Sequence, residues 1–215
     1  MVFCRKSMLG ILALAVTGVC SASTISTTGT FTFDSDLSVI SFTVLTPSEI
    51  IVTSFGYGGG TNGQGTDIAA GGLAPDLALF DPNGVNVVQD TAGGNAVPGS
   101  GCTNGTNPDP NTHLCLDSTL FFLTSVPGTY TVVLSEQNVG NDPPQFPDVF
   151  TGPSSYPLPP GTDVTTPPFQ DVFGNQRNGN FAFDINVSST PEPGTILGVF
   201  LGICAMASRK RRAAR

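Results

Sequence analysis

Between residues 23 and 190, apolar side chains recur at every second position in short runs, and Gly, Pro, Asn or Asp closes each run. A period of two puts alternate side chains on opposite faces of an extended chain, so the pattern predicts strands rather than helices. About eight are predicted: Thr30 to Phe33, Val39 to Leu45, Ile50 to Phe55, Leu77 to Phe80, Val85 to Gln89, Thr119 to Leu123, Tyr130 to Glu136 and Asn180 to Val187. Ile40, Phe42 and Val44 fall on one face, as do Tyr130, Val132 and Leu134, and likewise Phe181, Phe183, Ile185 and Val187. These are the expected core. The turn sequences Pro82-Asn83-Gly84 and Pro127-Gly128 supply the fixed or positive φ that tight reversals need.

Nothing in this stretch keeps a helical period beyond two turns, and no repeat of roughly 20 to 50 residues marks a propeller or solenoid. The predicted fold class is therefore all-β: an antiparallel, jelly-roll-like β-sandwich. Three long loops interrupt it, Gly56 to Asp76, Thr91 to Asp117 and Asn138 to Gly179. A local function belongs on them.

The two ends of the chain follow different rules. Arg5 and Lys6 precede an apolar run from Met8 to Val19 and the small residues Cys20-Ser21-Ala22-Ser23. This layout predicts a secretory signal peptide over 1–22, cleaved after Ala22 by signal peptidase. Val19 before Cys20 does not fit a lipoprotein signal. At the other end Pro191-Glu192-Pro193 precedes an apolar stretch over 194–208 and a basic tail over 209–215 containing Arg209, Lys210, Arg211, Arg212 and Arg215. As a helix, 194–208 would be about 22 Å long against about 30 Å of hydrocarbon, a marginal membrane helix that snorkelling arginines could extend. The positive-inside rule keeps its cations cytoplasmic and the body outside the inner membrane.

Those C-terminal residues resemble the PEP-CTERM sorting signal. The resemblance implies recognition by an exosortase, a membrane-embedded cysteine transpeptidase-like enzyme of exopolysaccharide-making Gram-negative bacteria, with processing near Pro191, Glu192 and Pro193. It implies a transient inner-membrane anchor and then a place on the cell surface or in the extracellular matrix.

With both ends set aside, the body spans 23–190 as one domain, and its charge balance changes. Of sixteen acids only Glu192 lies outside it, and of eight lysines and arginines only Arg177 lies inside. The body therefore carries fifteen acids against one cation, near −14, although the whole chain is −8. Such a surface repels nucleic acid and anionic lipid and attracts divalent cations. Of five cysteines, Cys102 and Cys115 alone remain in the body. In an oxidising compartment they predict one disulfide closing a Gly/Asn/Pro-rich loop, and a metal pair lacks the second Cys or His pair it needs. The lone histidine, His113, is expected exposed on that loop.

No enzyme signature is present. Gly58-Gly59-Gly60-Thr61-Asn62-Gly63 matches the dinucleotide fingerprint in letters, but no helix follows to hold a pyrophosphate. A Ser/His/Asp triad would have to use His113 in an irregular loop. Stacking on a sugar would fall to Tyr57 and Tyr156, since the chain has no tryptophan and Tyr130 alternates into the core. Calcium is the one cofactor the residues suit, through the turn oxygens of Asp34, Asp36, Asp81, Asn83 and Asp90; the alternative is that these acids only shape turns.

The segments "GTFTFDSDLSVISFTV", "FGYGGGTNGQGTDIAAGGLAPDLALFDPNG", "VPGTYTVVLSEQNV" and "VFGNQRNGNFAFDINV" together resemble exported domains related to the pre-peptidase C-terminal β-sandwich. That group implies an accessory or structural module, in some members calcium-binding. The acidic run that commonly follows its "LFDPNG" turn is thinned here to "QDTAGG". The expectation is thus a non-enzymatic envelope or matrix protein with a structural or adhesive role, and its alternative a calcium- or polysaccharide-binding module.

Overall fold

Seven of the predicted runs form strands, and the eighth moves. The computed structural model describes residues 22–91, 102, 106–137, 167–171 and 173–190. The expected signal peptide over 1–22, apart from Ala22, and the expected sorting tail from Pro191 onward lie outside the described residues. In chain order the strands are β1 (Ala22–Thr30), β2 (Ser38–Val44), β3 (Ser48–Ser54), β4 (Gly60–Thr61), β5 (Asp67–Ile68), β6 (Pro75–Phe80), β7 (Asn86–Thr91), β8 (Thr119–Thr124), β9 (Gly128–Glu136) and β10 (Asn180–Ser189). Among the described residues there is no helix.

Of the run expected as a strand over Thr30 to Phe33, Thr30 ends β1 and the rest leaves the sheet in a bend. The Asp36 carboxylate accepts the amides of Thr32 (2.8 Å) and Phe33 (2.9 Å), so a side chain takes bonds that a strand partner would have made. Phe31 still enters the core. The first strand lies upstream, over Ser/Thr-rich residues with only Ile25 reaching the core.

Eight strands make two four-stranded antiparallel sheets, β1-β10-β3-β8 and β2-β9-β6-β7, and β4-β5 form a small separate pair. The pairing is nested: β1 with β10, β2 with β9, β3 with β8, β6 with β7. A long antiparallel ribbon wound on itself has this order. β10 with β3 and β9 with β6 then close each sheet.

The expected core faces are where alternation put them. Phe42, Val44, Tyr130, Val132, Leu134, Phe183 and Ile185 are buried between the sheets with Ile50, Val52, Leu77, Leu79 and Leu120, and Ile40, Phe181 and Val187 pack against them. β6 is buried on both faces, and Ala78 and Phe80 form a second apolar cluster with Val133 and Leu37. The Tyr130 hydroxyl donates to the Val126 carbonyl (3.0 Å), tying the crossover from β8 to β9.

The nesting gives the sandwich two unlike ends. One holds short connections: 45–47 between β2 and β3, 81–85 between β6 and β7, and 125–127 between β8 and β9. The chain also enters and leaves there, because Ala22 pairs with Ser188 and the Thr190 amide donates to Pro47 O (2.8 Å). Every long connection starts and finishes at the other end.

One turn design recurs three times. In Asp81-Pro82-Asn83-Gly84-Val85 the Asp81 carboxylate accepts the Asn83 and Val85 amides at 2.8 and 2.9 Å. Asn62 does the same for Gln64 and Thr66, and Asp171 for Phe173 and Asn175. In each, the fourth residue is a glycine at positive φ: Gly65 (78°), Gly84 (78°) and Gly174 (80°). Only glycine adopts that backbone at no steric cost.

Candidate functional site: a buried junction of the three long loops

Three loop segments meet at the loop-rich end around Arg177, the single cation of the body. A guanidinium offers five N–H donors in a fixed fork, so it can hold several chain segments at once. Here its Nη2 donates to Tyr57 O (2.8 Å) and to Asp109 Oδ1 (3.1 Å), and its Nε to Gly72 O (3.1 Å). Its Cζ lies 3.9 Å from the centroid of the Tyr57 ring. The two side chains of the ion pair are 4% and 0% exposed, which puts the pair in the interior rather than on the screened surface.

Each acid in the junction also shapes its own loop. Asp109 Oδ2 accepts the Thr112 amide and hydroxyl, both at 2.8 Å, closing the turn on which Leu114 and Cys115 sit. Asp171 accepts the Tyr57 hydroxyl (2.7 Å) from one side and its own turn amides from the other. Asp117 accepts Ser54 Oγ (2.9 Å) and the amides of Tyr57 (3.1 Å) and Gly58 (2.7 Å). A Cβ at Gly58 would run into the carbonyl of Asn107, so glycine is required where the chains approach. Tyr57, Ala74, Leu114 and Leu116 form an apolar floor under these contacts.

Burial and pairing pull the protonation of these groups in different directions. Burial pushes the Asp109 carboxyl up, but Arg177 and Thr112 outweigh it and hold the group below its ordinary value. Asp171 follows the same pattern, lowered on balance by the Tyr57 hydroxyl and Asn175. Burial dominates at Asp117, whose pKa is raised despite its three donors. The Tyr57 phenol is pushed far up by burial, and the Asp171 carboxylate adds to the shift. Tyr57 therefore stays a neutral donor, Asp109 and Asp171 stay ionised at neutral pH, and Arg177 faces paired negative charge.

Cys102 and Cys115 are joined in a disulfide, Cα–Cα 5.3 Å, which fastens the second loop beside the junction. His113 is exposed at positive φ (59°) within the same turn. Tyr57 differs from its sequence reading: the ring is fully buried under Arg177 and offers no stacking face to a sugar. Tyr156 lies outside the described residues.

The residues suited to calcium are spread over the fold. Asp34 and Asp36 share the bend before β2, and Asp34 is buried while Asp36 holds backbone amides. Asp81 and Asn83 share the β6–β7 turn, with Asn83 Nδ2 donating to Asp81 Oδ2 at 3.2 Å. Asp90 faces Leu77 at the other end of that hairpin, about 13 Å from Asp81 along the strand at about 3.3 Å per residue. One ion does not bridge that span. Asp90 instead accepts the Thr119 amide (2.8 Å), linking the edge strands β7 and β8, and burial raises its pKa. Among the described residues no group of three or more His, Cys, Asp or Glu side chains is placed to hold a metal ion. On the opposite side of the sandwich an open cleft of about 450 Å³ lies between β1 and β2, with Phe31, Val39 and Phe181 in its wall and Asp36 at its lip.

The junction leaves no local trace along the chain, because its members lie up to 120 positions apart and only their convergence makes them a site. One clue was legible: a lone arginine in a body of fifteen acids is a natural partner for buried carboxylate. No family model and no curated protein matches this chain.

Proposed function

We propose that this is an exported envelope protein of a Gram-negative bacterium, non-enzymatic, with a structural or adhesive role. A signal peptide takes it across the inner membrane, the PEP-CTERM-like tail holds it there briefly, and an exosortase-type enzyme sorts it to the surface or matrix. The body is a jelly roll, supported by the nested order of its eight sheet strands.

The observation that carries the structural role is how Arg177 is used. At the end where loops would build a ligand site, the one cation of the body and three carboxylates are turned inward on each other and on backbone. Polar groups spent in this way fix loop geometry rather than offer themselves to a substrate. The tail supports the sorting role through its order of Pro191-Glu192-Pro193, apolar stretch and basic residues.

Mass spectrometry of the mature protein from its host tests this reading. The expected product starts at Ser23 and ends near the Pro191-Glu192-Pro193 motif, and intact Arg215 contradicts sorting. A second reading, a calcium- or polysaccharide-binding module, is favoured by the open cleft beside Asp36. It requires the melting temperature to rise with calcium or with matrix polysaccharide, and no rise with either rules it out.

A further inference from the structure

Three large apolar side chains stand exposed at the short-turn end, while Phe33, Val39 and Phe173 stand exposed at the loop-rich end and Phe121 midway along β8. Leu45 in the β2–β3 turn is 79% exposed and Val126 in the β8–β9 turn 53%, and Leu123 on the edge strand β8 adds 57%. The ladder places them together: Val44 pairs with Gly128 and Ser48 with Thr124, so both turns close the same end. Pro82 of the β6–β7 turn packs on Gly128 beside them. The described acids near this end are Asp81 and Glu49, both partly exposed; at the loop-rich end Asp36 and Asp90 are partly exposed, while Asp109, Asp117, Glu136 and Asp171 are buried.

The chain leaves the sandwich at this same end. Thr190 is bonded to Pro47 through both its amide (2.8 Å) and its hydroxyl (3.1 Å). Three residues, Pro191, Glu192 and Pro193, separate it from the apolar stretch that starts at Gly194. Even fully extended, the four steps from Thr190 to Gly194 reach about 14 Å. The loop-rich end is farther away by the length of β10, ten residues or about 33 Å.

We propose that the short-turn end is a membrane-contact surface, with Leu45, Val126 and Leu123 seated in the lipid interface while the tail is anchored. The proposal rests on the anchoring reading of residues 194–208. The short tether keeps this end near the bilayer, and the apolar side chains gain from leaving water there. The contact also supplements a membrane segment of marginal length.

The absence of tryptophan from the chain makes single tryptophan probes clean. Leu45→Trp and Val126→Trp report on the proposed surface. Phe173→Trp, at a side chain 55% exposed at the loop-rich end, is the control. Each signal-processed chain with its tail intact is reconstituted into phosphatidylethanolamine/phosphatidylglycerol vesicles with brominated acyl chains, and co-flotation is scored alongside emission. The expected result is flotation of all three, with emission from positions 45 and 126 shifted to shorter wavelength and quenched severalfold more than from 173. Flotation with equal, weak quenching at all three positions overturns the contact and leaves the anchor standing. Failure to float overturns both. A concentration-dependent blue shift at position 45 without vesicles means a second copy covers the surface, which also overturns the proposal.

Discussion

The two ends of the sandwich are built on opposite principles. At the short-turn end, local chemistry suffices: the carboxylate of Asp81 and the positive φ of Gly84 reverse the chain within a few residues, and apolar side chains remain in water. At the loop-rich end, segments from 56 to 72, 109 to 117 and 169 to 177 are joined by Arg177, Tyr57 and three aspartates with little exposed surface. A turn fixed by its own residues tolerates changes elsewhere. A junction fixed by distant residues fails as a unit when one is removed.

The largest expected effect follows from that. Arg177→Met strands the Asp109 carboxylate and two carbonyls in the interior, and chemical unfolding should show a loss of about 3–5 kcal/mol. Adding Asp109→Asn should recover a large part of it, because the buried charge goes with its partner. Equal losses in the single and double variants would mean the pair does not couple the loops. Next in size, replacing Cys102 and Cys115 together by Ser should cost about 2–4 kcal/mol, measured in the same way. Its effect should exceed the sum of typical surface changes such as Leu45→Ser, expected within about 0.5 kcal/mol of the parent.

The smallest effect is the response to pH. The lowered values of Asp109 and Asp171 mean that their contribution is present above about 3.9, the unfolded carboxyl value, and is lost as pH falls through the folded ones. The raised values of Asp117 and Asp90 act the other way, giving stability below about 3.9 that is lost as pH rises through the folded values. In a melting-temperature series below about pH 4 the Arg177→Met/Asp109→Asn variant should therefore lose less stability on acidification than the parent, because it lacks the Asp109 contribution.

What the sequence made legible follows the same divide. Strict alternation in Tyr130-Val132-Leu134 and Phe181-Phe183-Ile185 located the core, because burial on one face leaves a period-two trace. β1 left no such trace, since an edge strand of Ser and Thr buries little apolar surface. Thr32 and Phe33 read as strand because alternation does not register a carboxylate, Asp36, four and three residues on that claims their amides. The Asp/Asn-x-x-Gly turns were readable at Asp81, and the same spacing at Asn62 and Asp171 shows how the other two could have been found. The Arg177 junction was not readable, because contacts between positions 57, 109 and 177 depend on the completed sheet order.

Amide hydrogen exchange on the intact body tests the contrast between the two ends most directly. The amides of Tyr57 and Gly58, both donated to Asp117, and of Arg177, donated to Phe169 O, should exchange only on near-global unfolding, as slowly as the central amides of β10. The amide of Val126, in a solvent-exposed turn, should exchange orders of magnitude faster. Loop amides at 57, 58 and 177 that exchange as fast as Val126 would contradict the account, because the long loops would then open without the sandwich.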